Sequence, residues 1–82
     1  PRLCMIDEPS SGLAPVMVDE IFHIIQGLHD QDIAIFLVEQ NVRHTLEIAN
    51  RAYVIENGEI ILKGESQQLL SEEHIRKAYL GL

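Results

Sequence analysis

Two uninterrupted apolar runs are the clearest feature of the hydropathy pattern. The first covers residues 3–6 and ends at Asp7 and Glu8, and the second covers residues 33–38 and ends at Glu39. Both runs are too short for helices, and strands that are apolar on both faces belong in the interior of a sheet. The pattern therefore predicts two core strands with polar residues at their carboxyl ends.

Helical periodicity lies between and after these strands. Pro15 suits a first helical turn, and we predict a helix from Pro15 to about residue 29. The apolar face of this helix is predicted to be Val18, Ile21, Phe22, Ile25 and Leu28. A second helix is predicted to follow Asn41, because asparagine is a favourable N-cap.

The last third of the chain has the pattern of a β-hairpin followed by short helices. Asn57-Gly58 separates two β-rich runs, residues 53–56 and 59–62, and this dipeptide is a strong signal for a tight hairpin turn. Gly64 is predicted to end the second arm. The predicted N-caps of the two short helices are Ser66 and Ser71.

The predicted order β-α-β-α-β-β-α-α begins as an α/β crossover and ends as a hairpin with a helical tail. Two crossover helices can hardly cover both faces of two fully apolar strands. We therefore expect residues 1–82 to form one partial α/β domain in which part of the covering layer is missing.

Composition narrows the functional classes. The 82 residues are 46% hydrophobic and 23% charged, which is typical of a globular protein. Thirteen acids against six bases give a net charge of −7, which argues against a nucleic-acid partner. The one cysteine, Cys4, excludes an internal disulfide, and no apolar run approaches the length of a membrane span.

Asp7 and Glu8 are the strongest candidates for chemistry. The carboxyl ends of core strands are where α/β folds bind ligands. The first acid could hold Mg²⁺, directly or through water, and the second could orient or deprotonate an attacking water. Taken alone, the two residues are equally compatible with a strand that simply ends in solvated acids.

The surrounding residues resemble the Walker B motif and D-loop of ATP-binding cassette (ABC) ATPases. The segment is Leu3-Cys4-Met5-Ile6-Asp7-Glu8-Pro9-Ser10-Ser11-Gly12-Leu13-Ala14-Pro15. Residues 33–41 resemble the strand that leads to the switch loop, and residues 51–60 resemble the hairpin of this family. The resemblance covers essentially the whole chain and implies the carboxyl-terminal part of a P-loop NTPase fold.

Three features are similar in particular to the ATP-binding subunit of branched-chain amino acid importers. They are Gly12-Leu13-Ala14-Pro15, Leu37-Val38-Glu39-Gln40-Asn41 and Arg76-Lys77-Ala78-Tyr79-Leu80-Gly81. The resemblance implies ATP and Mg²⁺ as cofactors, and a second cassette and membrane permease subunits as partners. It also implies a location at the cytoplasmic face of the plasma membrane, held there by the permease.

The resemblance implies roles residue by residue. Asp7 would be the Mg²⁺-site acid and Glu8 the general base. The D-loop that crosses between two cassettes would be Ser11, Gly12, Leu13 and Ala14.

The sequence departs from the family at two of these positions. Most members have an aspartate where this chain has Ala14 and a histidine where it has Gln40. A glutamine amide accepts and donates hydrogen bonds but takes up no proton at working pH. Gln40 would therefore position phosphate and water without transferring a proton. The alternative is that Gln40 only caps the following helix.

The 82 residues contain no phosphate loop of the form G-x-x-x-x-G-K-[ST], no Q-loop and no LSGGQ signature. We therefore expect a segment that begins just before Walker B and belongs to an ATP-hydrolysing importer subunit. Alone, it is expected to self-associate and to be inactive. The alternative function is a non-enzymatic, truncated cassette that acts as a protein-interaction module.

Overall fold

The computed structural model describes residues 2–81, which form two compact units, residues 2–41 and 42–81. The first unit consists of β1 (Arg2–Asp7), α1 (Pro15–Asp30) and β2 (Ile33–Val38). The second consists of α2 (Val42–Ile48), β3 (Arg51–Glu56), β4 (Glu59–Glu65), α3 (Ser66–Leu70) and α4 (Glu73–Ala78). This order confirms the order of elements predicted from the sequence.

The first unit is a β-α-β crossover. Strands β1 and β2 pair in parallel, from Arg2 opposite Ile33 to Asp7 opposite Val38. Parallel neighbours need a long connection, and α1 provides it. Helix α1 begins at Pro15 and buries Phe22 and Ile25. The rest of its predicted apolar face is half-buried, which confirms the helical pattern: Val18, Ile21 and Leu28.

The two faces of this parallel sheet differ in burial. One face is half-buried, and α1 contacts β2; its side chains are Cys4, Ile6, Ile33, Ile35 and Leu37. On the other face the apolar side chains are exposed: Leu3 by 65%, Met5 by 72%, Phe36 by 56% and Val38 by 46%. Met5 lies directly opposite Phe36, so these residues form one continuous apolar surface. Among the described residues, no layer covers this face of the sheet.

In the second unit, β3 and β4 form the predicted hairpin. Asn57 and Gly58 both have positive φ, 52° and 78°, as the tight Asn-Gly turn requires. The strands pair from Glu56 opposite Glu59 at the turn to Arg51 opposite Glu65. The prediction that Gly64 ends the second arm is wrong, because Gly64 continues the ladder opposite Ala52.

The predicted serine N-caps are also wrong. Helix α3 begins at Ser66 itself, and the extended residue before it is Glu65. Ser71 lies at the other end of α3, where its hydroxyl donates to the carbonyl oxygen of Gln68 at 2.9 Å. Helix α4 begins at Glu73, and the extended residue before it, Glu72, provides no side-chain cap.

The core of the second unit takes one residue from each of its three helices. Leu46, Leu69 and Ile75 are 2%, 5% and 0% exposed, and the half-buried Val54 and Leu62 of the hairpin pack against them. Full burial of a side chain of this size stabilises a fold by about 1.5–3 kcal/mol. The core therefore attaches the short helices, which would be marginal alone, to the hairpin.

A polar cluster also connects α4 to the hairpin. The Tyr79 hydroxyl donates to Glu56 Oε2, and His74 Nε2 lies 3.1 Å from the same oxygen. The hydrogen bond from Tyr79, followed by that from His74, lowers the pKa of the Glu56 carboxyl. The same carboxylate raises the pKa of the Tyr79 hydroxyl. The cluster is therefore most stable when Glu56 is ionised and Tyr79 is protonated.

This cluster predicts a pH-dependent contribution to stability. Because folding lowers the pKa of Glu56 from 4.5, its contribution is present above pH 4.5 and is lost as the pH falls through the folded-state value. Because folding raises the pKa of Tyr79 from 10.0, its contribution is present below pH 10.0 and is lost in stronger alkali. Glu56→Gln should therefore lower Tm at neutral pH, and the difference from the wild type should shrink as the pH falls below 4.5.

Thermal unfolding of the 82-residue chain at fixed protein concentration measures this difference. Glu59→Gln, which changes the other glutamate of the same turn, is the control and should show no such pH-dependent difference. A Tm difference for Glu56→Gln that stays constant down to acid pH would contradict the assignment.

The exposed sheet face predicts self-association of the isolated chain. Each square ångström of apolar surface withdrawn from water contributes about 25 cal/mol, and two unpaired strand edges flank this face. Phe36→Lys should therefore shift the mass measured by light scattering towards the monomer. Ile24→Lys, which changes a residue of α1 that is 57% exposed, should not. Equal masses for the wild type and Phe36→Lys would exclude this face as the contact.

Candidate functional site

The parallel pairing brings two sets of polar residues to one edge of the sheet. Asp7, the last residue of β1, lies opposite Val38, the last residue of β2. Glu8 therefore lies beside the segment that begins at Glu39. The predicted site residues therefore share one edge: Asp7 ends β1, Glu8 follows it, and Gln40 follows β2. The carboxyl ends of the strands are where α/β folds bind ligands.

The backbone of Glu8 is in an unusual conformation. Its φ is +47°, a left-handed value that costs a residue with a Cβ about 1–2 kcal/mol. Its N–H donates to the carbonyl oxygen of Val38 at 2.7 Å, and its own carbonyl accepts from the N–H of Ser11 at 3.2 Å. These two hydrogen bonds hold Glu8 in place as the chain leaves the sheet. Strain that neighbouring contacts hold in this way is concentrated at functional sites.

The predicted D-loop is a short ordered turn. The N–H of Leu13 donates to the carbonyl oxygen of Ser10 at 3.2 Å, and Gly12 has a φ of +76° that suits glycine. Ala14 is extended, and its carbonyl oxygen accepts the first hydrogen bonds of α1. All four residues of the predicted loop are exposed: Ser11, Gly12, Leu13 and Ala14.

Glu39 is a site residue that the sequence analysis did not single out. Its Oε2 accepts from the N–H of Ser10 at 3.1 Å. Its Oε1 accepts from the N–H of Gln40 at 3.0 Å and from the N–H of Asn41 at 3.4 Å. The available signal was its position, since Glu39 follows the second apolar strand as Asp7 and Glu8 follow the first.

Gln40 is exposed at the same edge. Its backbone N–H is bound by Glu39, whereas its side-chain amide makes no hydrogen bond with the part of the chain that the structure describes. Helix α2 begins at Val42, two residues further on. The amide of Gln40 is therefore exposed to solvent at this edge.

The oxygen donors at this edge fit a magnesium ion shared with a phosphate ligand. Asp7 is exposed, and within residues 2–81 no group of three or more histidine, cysteine, aspartate or glutamate side chains could hold a metal by itself. Mg²⁺ in nucleotide sites takes one or two carboxylates and completes its shell with phosphate oxygens and water. Asp7 alone could therefore be the protein's contribution to such a site.

In the described part of the chain, no helix combines the length and apolar character needed to cross a bilayer.

The chain is similar in sequence to ATP-binding proteins of transport systems. The chain is 47% identical over 81 residues to the high-affinity branched-chain amino acid transport ATP-binding protein BraG of Pseudomonas aeruginosa. It is 36% identical over 81 residues to the lipopolysaccharide export system ATP-binding protein LptB of Escherichia coli K12. These matches cover 99% of the chain but 35% and 34% of the relatives, so the chain spans about a third of their length. No family model matches the sequence.

Solved structures give the same result for the fold. The ATP-binding cassette MJ1267 of an ABC transporter, in its ADP conformation, superposes with a TM-score of 0.73 at 29% identity. Cassette cbiO1 of Clostridium perfringens, part of the ABC transporter complex cbiONQ, gives a TM-score of 0.72 at 28% identity. Both matches cover 100% of this chain and 34% of the other. Sequence and fold together identify the chain as a segment of an ATP-binding cassette of the ABC transporter family.

Proposed function

We propose that this chain supplies the hydrolytic carboxylates of an ABC transporter ATPase that imports branched-chain amino acids. The supporting observation is the arrangement of Asp7 and Glu8 beside Glu39 and Gln40 at one sheet edge. The 47% identity to a branched-chain amino acid transport protein favours import of these amino acids over the lipopolysaccharide export of the 36% identical relative.

Within this proposal, Asp7 holds Mg²⁺, directly or through water. Bound Mg²⁺ supplies charge neutralisation to phosphate oxygens as the terminal phosphate departs. Glu8 accepts a proton from the attacking water or orients that water for in-line attack. The hydrogen bonds at the Glu8 N–H and carbonyl support this role, because a general base must be held in a fixed position.

Gln40 acts as a hydrogen-bonding residue in the proposed reaction. Its amide can donate to a phosphate oxygen and accept from the attacking water, but it carries no titratable proton. Its exposed side chain at the end of β2 supports a contact with the terminal phosphate.

The exposed turn from Ser11 to Ala14 is proposed to face a second cassette. Ala14 presents a methyl group and no polar atom, so the polar contact common in the family at this position is absent or replaced. The phosphate loop is proposed to come from another part of the cassette, because the 82 residues contain no G-x-x-x-x-G-K-[ST]. The assembly would act on permease subunits at the cytoplasmic membrane face.

One observation favours a second candidate function, a non-enzymatic interaction module. The outer face of the hairpin exposes Tyr53 by 57%, Ile55 by 63% and Ile60 by 58%. An apolar patch of this kind is suited to contact another protein. The module alternative requires no hydrolysis at Glu8, so turnover measurements separate the two functions.

A chimera of Pseudomonas aeruginosa BraG, with this chain in place of the matching third, provides the test system. We expect the chimera to release phosphate from MgATP. Glu8→Gln should retain ATP binding and lower turnover by about 10²–10⁴-fold, because a positioned general base contributes that much. Phosphate release at saturating MgATP measures this loss, and fluorescent nucleotide titration measures binding.

Glu20→Gln is the matched control for Glu8→Gln, because Glu20 is an exposed glutamate of α1 away from the sheet edge. It should leave turnover unchanged. Wild-type turnover in Glu8→Gln would exclude Glu8 as the base. A folded chimera that binds ATP without hydrolysing it would favour the interaction module.

The role of Gln40 predicts a graded series in the same chimera. Gln40→His keeps a hydrogen-bonding side chain and should retain appreciable hydrolysis, whereas Gln40→Ala removes the contact and should lose more. The ATPase rates of the two variants at saturating MgATP measure the order. If Gln40→Ala matches the wild type, Gln40 makes no contact that matters to the reaction.

A further inference from the structure

We propose that Glu39 is a positioning residue that fixes the distance between Glu8, the proposed general base, and Gln40; this inference rests on the proposed function. Its carboxylate hydrogen-bonds to the backbone that follows each of the two strands of the parallel sheet. Oε2 binds the N–H of Ser10 after β1, and Oε1 binds the N–H of Gln40 after β2.

The hydrogen bonds form a closed ring around Glu8. Val38 accepts the N–H of Glu8 at 2.7 Å, and the next residue, Glu39, accepts the N–H of Ser10 at 3.1 Å. The segment from Glu8 to Ser10 is thus attached at both ends to two consecutive residues of the other strand. Pro9 restricts the middle of the ring, because its φ is fixed and it has no N–H. The left-handed backbone of Glu8 is therefore held on both sides.

The chemistry of the ring requires a carboxylate. Three backbone N–H groups converge on two oxygens, and an ionised carboxylate offers acceptors on both. A glutamine at this position would place an NH₂ group against one set of donors and could satisfy only the other. Hydrogen bonds to a charged acceptor are also about twice as strong as neutral ones.

The same carboxylate also positions the backbone of Gln40 where the chain leaves β2. Its Oε1 accepts from the N–H groups of Gln40 and Asn41 at 3.0 and 3.4 Å, so the backbone of these two residues turns around the Glu39 side chain. A group that positions both reacting-site residues should affect the catalytic step more than nucleotide binding. A displacement of about 1 Å between catalytic groups can cost 10²-fold in rate.

Kinetics of Glu39 variants in the BraG chimera test the inference. Glu39→Ala should lower kcat by about 10–10²-fold, with the KM for MgATP changed by less than about twofold. Glu39→Gln should give an intermediate rate, because it keeps one acceptor. Glu20→Ala, an exposed glutamate of α1, is the control and should match the wild type. An unchanged kcat in Glu39→Ala would overturn the proposal.

A multiple variant distinguishes positioning from general stabilisation. If Glu39 acts by positioning Glu8 and Gln40, adding Glu39→Ala to the variant Glu8→Gln/Gln40→Ala should cause no further loss of rate. A further loss would show that Glu39 contributes independently of both residues, which overturns the proposed role. Glu39→Gln, which preserves size and shape, repeats the comparison if the alanine variant does not fold.

Hydrogen exchange separates this inference from the proposed function. The Ser10 amide should exchange slowly in the wild-type chimera and at least about tenfold faster in Glu39→Ala, which removes both acceptor oxygens. This measurement needs no hydrolysis, so a chimera without turnover would refute the proposed function while the ring is still tested. Equal exchange of the Ser10 amide in the wild type and in Glu39→Ala would show that the ring does not hold the loop.

Discussion

The parallel pairing of β1 with β2 is the constraint on which the candidate site depends. Because both strands run in the same direction, their carboxyl ends meet at one edge, with Asp7 opposite Val38. An antiparallel pair would place the residues after β1 and the residues after β2 at opposite ends of the sheet. Helix α1 makes the parallel arrangement possible, since it returns the chain to the starting edge and buries Phe22 and Ile25 on the way. The apolar face of one helix thus determines which polar residues can act together.

Strand pairing alone does not fix the position of Glu8; the hydrogen bonds made by the residues that follow β1 also hold it. The strand ends in a left-handed residue whose conformational cost is offset by bonds to Val38 and Ser11. Glu39 then attaches Ser10 to the second strand end. The strained residue and the bonds that compensate for it lie within residues 8–11 after β1 and residues 38–39 at the end of β2. Such a local arrangement can hold a catalytic group without a large core, because its precision comes from directional bonds and not from buried area.

The sequence predicted those features that depend on local pattern. The spacing of apolar residues after Pro15 determined α1, the continuous apolar runs determined β1 and β2, and Asn57-Gly58 determined the hairpin turn. The failures came where a residue had two possible partners. Ser71 could cap either the end of α3 or the start of α4, and the structure shows the first. The role of Glu39 was hidden for a related reason: the convergence of three N–H groups on one carboxylate depends on strand register and loop conformation, which hydropathy does not encode.

In the parallel sheet, hydrogen bonds order the residues at the carboxyl edge, whereas one face of the sheet is exposed to solvent. The hydrogen bonds that order Glu8, Ser10 and Gln40 join residues within the first unit, so they need no cover over the exposed face. Their persistence nevertheless requires β1 and β2 to stay paired, and a two-stranded sheet with one covered face is marginally stable. The apolar residues fully buried among residues 2–41 are Phe22 and Ile25, while Leu3, Met5 and Phe36 remain more than half exposed. Any layer that covered this face would therefore stabilise strand pairing and, through the pairing, the geometry of the carboxylates. Packing on one surface of the sheet and chemistry at its edge are coupled through Val38, whose side chain lies on the exposed face and whose carbonyl oxygen accepts the Glu8 N–H.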